Sequence, residues 1–222
     1  MNIRRLQTNA GTPRPYGFAP NSSGFNLSLT CTHATQVTLL LYDSLDPKAK
    51  PIHTIPLDPI YNKTGQVWHI GIENPPNPCY YLYQIEPNST PLLDPYSRQI
   101  TCGVPWRGFG KANAYNPKCG TEPPPSFLWT DASFQKIPPK DLVIYEMHIR
   151  AFTSDNSSGV DSPGTFAAAI QKIPHLVNLG VNAVELLPIF EFNESEYQGR
   201  NPFTRKTLCN YWGYSPINFF LL

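Results

Sequence analysis

The stretch Asn210-Tyr211-Trp212-Gly213-Tyr214-Ser215-Pro216 gathers three aromatic side chains around one glycine. Such a cluster builds a flat apolar platform for a ring-shaped ligand, with room for a few polar neighbours to orient it. The alternative is that the same rings pack beneath a loop as ordinary core. Upstream, Glu146, His148 and Arg150 alternate along one apolar run, and Glu185 and Glu191 lie on or beside another. Carboxylates and an imidazole are the groups that move protons in catalysis. Their bland roles are to orient neighbours by hydrogen bonding and, for His148, to sit satisfied inside a strand.

These residues need elements to hold them. The run "DLVIYEMHIRAF" predicts a strand, buried on both sides from Leu142 to Tyr145, with Glu146, His148 and Arg150 on one alternating face. The run "SPGTFAAAIQKIPHLVNLG" predicts a helix with Phe166, Ile170, Ile173 and Val177 on one stripe. Pro174 should kink it or split it in two, and Gly180 falls where a left-handed C-cap belongs. "VNAVELLPIFEF" then predicts a second strand. Strand, helix and strand in that order form a βαβ unit, whose strands run parallel with a right-handed crossover.

The preceding part of the chain follows a different pattern. From Gly24 to about Gln99, short bursts alternate: "FNLSLTC", "QVTLLLY", "VWHIGIE" and "YYLYQIE", separated by turn residues at 43–50, 62–65 and 74–78. Several short strands at that spacing predict an antiparallel, immunoglobulin-like β-sandwich. In the last burst Tyr81, Tyr83 and Ile85 mark a buried face and Tyr80, Leu82 and Gln84 a mixed one. Between Gly103 and Pro139 glycine and proline dominate, as expected of a loop crossing between domains. The expected organisation is a sandwich over 15–120, a linker over 121–139 and a βαβ-containing region over 140–222.

Composition narrows the function classes. The 222 residues are 41% hydrophobic and 15% charged, a globular profile. The 25 prolines suit short strands and loops better than long helices. A net charge of +1 without Lys/Arg runs argues against nucleic acid or an anionic membrane as partner. No signal-like apolar segment follows Arg4 and Arg5, so a soluble, cytoplasmic chain is expected. Five cysteines at wide spacing, with no CxxC, read as free thiols rather than metal ligands. No cofactor and no metal are implied.

Three ordered motifs, "VIYEMHIRAFT", "PGTFAAAIQKIPHLVNLGVNAVELLPIFEF" and "NYWGYSPINFF", resemble the start of the catalytic barrel in bacterial glycogen debranching enzymes and isoamylases of the α-amylase superfamily. "GTPRPYGFAPNSSGFNLSLTCTHATQVTLLLYD" and "PLLDPYSRQI" resemble the sandwich that precedes that barrel, a module of the carbohydrate-binding family 48 type. Branching enzymes and maltooligosyl trehalose hydrolases share parts of these motifs. The Asn-Tyr before Trp212 and the "YEMHIRAFT" run sit better with the debranching group.

The resemblance implies an incomplete (β/α)8 (TIM) barrel behind the sandwich, an α-glucan such as glycogen or starch as partner, and α-1,6-glucosidic hydrolysis by the whole enzyme. It places Tyr214 on the glucose ring at the cleavage subsite, with Trp212 close by. It places no catalytic residue in this chain: the nucleophile, the acid and the supporting aspartate come from later barrel strands. Such a retaining pair stands about 5–5.5 Å apart, and a full barrel takes roughly 250 residues, far more than 139–222 supply. The chain alone is therefore expected to be inactive, completed at most by a second chain. A non-catalytic glucan- or partner-binding module, or a piece of a branching enzyme, is the alternative.

Overall fold

A computed structural model describes residues 6–101, 116–123, 126–196 and 199–219. Residues 1–5, Cys102, residues 103–115 of the glycine- and proline-rich crossing, Pro124, Pro125, residues 197–198 and the final "FLL" lie outside the described residues.

Two antiparallel sheets face one another. The first holds β1 (Gln7–Asn9), β2 (Gly17–Pro20), β3 (Gly24–Thr30), β6 (Lys63–Thr64) and β7 (Val67–Glu73), in the order β1-β7-β3-β2 with β6 on β7. The second holds β4 (Val37–Tyr42), β5 (His53–Pro56), β8 (Tyr80–Ile85), β9 (Asn88–Leu92), β10 (Ile100–Thr101) and β11 (Lys118–Gly120), in the order β10-β11-β8-β4-β5 with β9 on β8.

The alternating bursts become strands because every second residue faces the opposite sheet. Phe25, Leu27 and Leu29 of β3 and Trp68, Ile70 and Ile72 of β7 meet Val37, Leu39 and Leu41 of β4 and Tyr81 and Tyr83 of β8 in one core. Leu40, Tyr42 and Leu82, from the opposite face of β4 and β8, make a second, smaller cluster. The turn expected at 62–65 also contributes the short strand β6. Cys79 and Cys119 are buried free thiols whose pKa burial pushes up to about 12, which keeps them protonated and inert. Cys31 and Cys209 are free and half-buried.

The outer face of the first sheet carries Asn26, Ser28 and His69, all buried. Residues 10–13 cross over them and satisfy each in turn. Asn26 accepts from Thr12 N–H at 2.7 Å and donates to Thr12 O at 2.9 Å, and Ser28 donates to Pro13 O at 2.9 Å. His69 bonds Ala10 O and Thr64 Oγ1 at 2.8 and 2.9 Å. Gly11, at φ +71°, permits this approach, since a Cβ there would come within 2.4 Å of Asn26 Oδ1.

The region beyond the crossing holds β12 (Ile144–Met147) and β13 (Ala183–Leu186), paired in parallel with Glu146 opposite Glu185. Between them lie α1 (Ile149–Phe152), α2 (Phe166–Gln171) and α3 (Ile173–Asn178). Pro174 stands in the first turn of α3 and Gly180 is left-handed at φ +80°, so the helical stretch divides and ends as its sequence predicts. Thr165 caps α2 by accepting from Ala168 N–H at 3.1 Å.

Three details depart from expectation. The first strand is only four residues long; His148 ends it and turns the chain into α1, so Glu146, His148 and Arg150 do not share one strand face. Its start is not buried on both sides, Ile144 being 57% exposed, because β13 is the strand paired with it and little covers either face. The stripe Phe166, Ile170, Ile173 and Val177 faces outward. The helices instead turn Ala168, Ala169 and Leu176 inward, with Met147 buried beside Ala169 and Leu176. Small alanines allow a closer approach to the strands than the bulky stripe would. One parallel pair with its helical crossover is thus the parallel structure among the described residues.

Candidate functional site

After β13 the chain runs through Glu191–Glu196, and the aromatic loop folds back against it. Asn210 N–H donates to Glu194 O at 2.9 Å, Ile217 N–H to Glu191 O at 2.8 Å, and Phe192 bridges Pro216. The loop closes on itself through the Asn210 side chain, which donates to Tyr214 O at 2.7 Å and accepts from Gly213 N–H at 3.3 Å. Gly213 has φ +82°, and a Cβ there would meet Pro188 O at 2.8 Å, so the turn requires glycine. Ser215 donates to Glu196 Oε1 at 3.0 Å.

The three rings take different positions. Tyr211 is half-buried and lies flat on His148, with centroids 4.9 Å apart at 11°. Trp212 stands edge-on to both, 5.8 Å from His148 and 6.4 Å from Tyr211. Trp212 and Tyr214 are 57% and 58% exposed. Together with Tyr211, Asn210, Ser215, Cys209 and Glu196 they line an open depression of about 400 Å3. Two exposed aromatics, a carboxylate and an amide around such a space can hold a polyhydroxylated ring between an apolar face and hydrogen-bonding groups.

Charged groups behind the platform are occupied. Arg150 pairs with Glu194, and its guanidinium lies 5.3 Å from the Tyr211 ring and 6.0 Å from Phe192. His148 accepts from Ala151 N–H at Nδ1 and bonds Tyr211 O through Nε2, which assigns the proton to Nε2. Both ring nitrogens being engaged, His148 is a positioning group for the loop. Burial, then the charge of Glu194, raises the pKa of Glu191 above the ordinary carboxylate range. Glu146 and Glu185 stand side by side, exposed, on the parallel pair.

Tyr214 and Trp212, singled out from the sequence, thus share one depression. Asn210 and Ser215, from the same stretch, join them there, as does Glu196, which had no sequence signal of its own because a single polar residue in an irregular segment carries no periodicity. Among the described residues no cluster of His, Cys, Asp and Glu could hold a metal ion, and no helix is long and apolar enough to cross a membrane.

The described residues thus combine an antiparallel sandwich with a parallel βαβ unit and a loop that presents exposed aromatics. Consistently, residues 15–97 match carbohydrate-binding module 48, the isoamylase N-terminal domain. The chain is 38% identical to chloroplastic isoamylase 1 of Oryza sativa subsp. japonica over 95% of its length, covering 28% of that protein. It is 31% identical to pullulanase A of Streptococcus pneumoniae serotype 4 over 89% of its length, covering 17% of that protein. Among solved structures it resembles the group B Streptococcus pullulanase SAP in complex with maltotetraose, with TM-score 0.67 and 30% identity, over 94% of this chain and 28% of that one. The chain therefore spans less than a third of each of these relatives.

Proposed function

We propose that this chain is the N-terminal part of an α-glucan debranching hydrolase of the isoamylase type. Residues 15–120 form most of its carbohydrate-binding sandwich, which β1 and residues 10–13 extend at its N-terminal side, 121–139 form its linker and 140–222 the first βαβ portion of its (β/α)8 barrel. The observation that carries the reading is the similarity to isoamylase along 95% of the chain, so that it takes in the βαβ unit and the aromatic loop as well as the sandwich. Tyr214 and Trp212 contact a glucose ring, and Glu196 and Asn210 stand where its hydroxyls would seek partners. The four free thiols among the described residues suit a reducing, cytoplasmic setting.

Residues 1–222 bind α-glucan but hydrolyse neither α-1,6 nor α-1,4 bonds alone. Arg150 neutralises Glu194, and two parallel strands cannot set a nucleophile and an acid around one anomeric carbon. The test is a reducing-sugar assay on glycogen and pullulan with 1–222, alone and mixed with a fragment supplying the further strands of a barrel, beside a titration with maltotetraose. Binding with hydrolysis only in the mixture supports the reading. Hydrolysis by 1–222 alone, or no binding of maltotetraose, overturns it.

A further inference from the structure

The aromatic loop meets the sandwich at a buried point. Asn218 is 3% exposed, and its Nδ2 donates to Asp94 O at 3.3 Å and to Ser97 O at 3.0 Å. A carboxamide nitrogen has two hydrogens, so one side chain spans both carbonyls of the turn. On either side of it the same segment holds to the βαβ region. Ile217 N–H donates to Glu191 O, and Phe219 meets Phe190 edge to face with centroids 5.8 Å apart.

The receiving turn is anchored deep in the sandwich. Asp94 and Ser97 are fully buried. Asp94 Oδ2 accepts from Tyr81 OH at 2.8 Å, its Oδ1 from Tyr96 N–H at 2.8 Å, and its carbonyl from Ser97 N–H at 3.1 Å. Asp94 N–H points to Cys119 Sγ at 3.3 Å, and Ser97 Oγ donates to Gln99 O at 2.7 Å. The turn thus rests on β8 and β11 of the core through Tyr81 and Cys119.

We infer that Asn218 is a positioning residue that makes the sandwich set the placement of the aromatic loop, so that the grip of Trp212 and Tyr214 on their ligand depends on the Asp94–Ser97 turn. Asn218 follows Tyr214 closely in the chain, and Pro216 lies between them. A shift at Asn218 is therefore passed along a short, stiff segment rather than absorbed. The sandwich then supports the binding loop as well as any glucan contacts of its own. The ligand part of this inference rests on the α-glucan reading; the mechanical part does not.

The test is amide hydrogen exchange on the 222-residue chain, followed at Asn210, Gly213 and Ile217 in the loop and in β3 and β7 of the sandwich. Asn218→Asp keeps the side chain's shape but removes both donors and places carboxylate oxygen against carbonyl oxygen. It should speed exchange at Gly213 and Ile217 at least tenfold, leave β3 and β7 unchanged, and weaken maltotetraose binding about tenfold. Tyr81→Phe perturbs the same contact from the sandwich side, and should speed Ile217 exchange at least threefold. Unchanged loop exchange in both variants, or equal acceleration of loop and sandwich in Asn218→Asp, overturns the inference. Failure of the unaltered chain to bind maltotetraose overturns the glucan reading instead and leaves the exchange pattern to decide the role of Asn218.

Discussion

The imidazole of His148 lies flat on the ring of Tyr211, 4.9 Å between centroids, while its Nε2 bonds the same residue's carbonyl at 2.9 Å. Its other nitrogen caps α1 by accepting from Ala151 N–H at 3.1 Å. One side chain thus joins the end of β12, the start of α1 and the aromatic loop. His148→Ala removes a helix cap, worth about 1 kcal/mol, and a ring contact worth roughly 0.5–1.5 kcal/mol. It should therefore destabilise the βαβ region by about 2 kcal/mol and lower glucan affinity. His148→Phe should restore part of the affinity but not the cap. Thermal melts and maltotetraose titrations of both variants check this, and equal affinities in all three proteins would remove the loop from the binding site.

Tyr214 and Trp212 are more than half exposed, so truncating them removes little packing. Tyr214→Ala should change stability by less than about 0.5 kcal/mol while weakening glucan binding at least tenfold. Tyr214→Phe should stay within threefold of the original protein, because a ring face is what a sugar's apolar side requires. In a completed barrel, turnover should fall more than stability in the same way. Parallel losses of melting temperature and affinity in Tyr214→Ala would place the ring in the core.

Burial pushes the Asp94 carboxyl up to about 6, against hydrogen bonds from Tyr96 N–H and Tyr81 OH that favour its charged form. With an unfolded value near about 3.9, the folded chain holds the extra proton between about pH 4 and 6. The stabilisation is fully present below about pH 4 and is lost as pH rises through about 6. Asp94→Asn cannot titrate. Its stability relative to the original protein should therefore rise from about pH 4 to 7, by on the order of 1–3 kcal/mol. Denaturant titrations of the two proteins at both pH values test this, and a pH-independent difference would show that Asp94 does not carry the effect.

The outward stripe should tolerate charge where the inward face does not. Ile170 and Val177 are 64% and 63% exposed, whereas Ala168 and Leu176 are 0% and 5%. Ile170→Lys and Val177→Lys should leave the melting temperature nearly unchanged and reduce self-association in light scattering. Leu176→Lys buries an unpaired charge and should abolish cooperative unfolding of the βαβ region while the sandwich keeps its own transition. Loss of stability in Ile170→Lys would mean the stripe is covered.

Much of the fold is legible in the amino-acid sequence itself. Alternation, strict in β3 and β7 and looser in β4 and β8, where both faces carry apolar residues, names the sandwich, because a period of two admits one core-facing set of residues. Pro174 and Gly180 divide and end the helical stretch through backbone restrictions that hold in any context. The clustering of Trp212 and Tyr214 around Gly213 reads as a platform for the same local reason.

Only the tertiary structure decided which apolar face of α2 and α3 turned inward. The helical stretch is apolar on two sides, so periodicity could not choose, and burial of Ala168 and Ala169, the latter against Met147 of β12, did. Tertiary contacts also settled how His148 is held, since its stack on Tyr211 and its bond to Tyr211 O reach a residue 63 positions away, whereas its capping bond to Ala151 is local. The meeting of Asn218 with Asp94 and Ser97 joins residues more than 120 positions apart. Local sequence determines elements and turns because their hydrogen bonds span a few residues. Contacts between separate elements depend on how whole faces come together, and no local pattern encodes that.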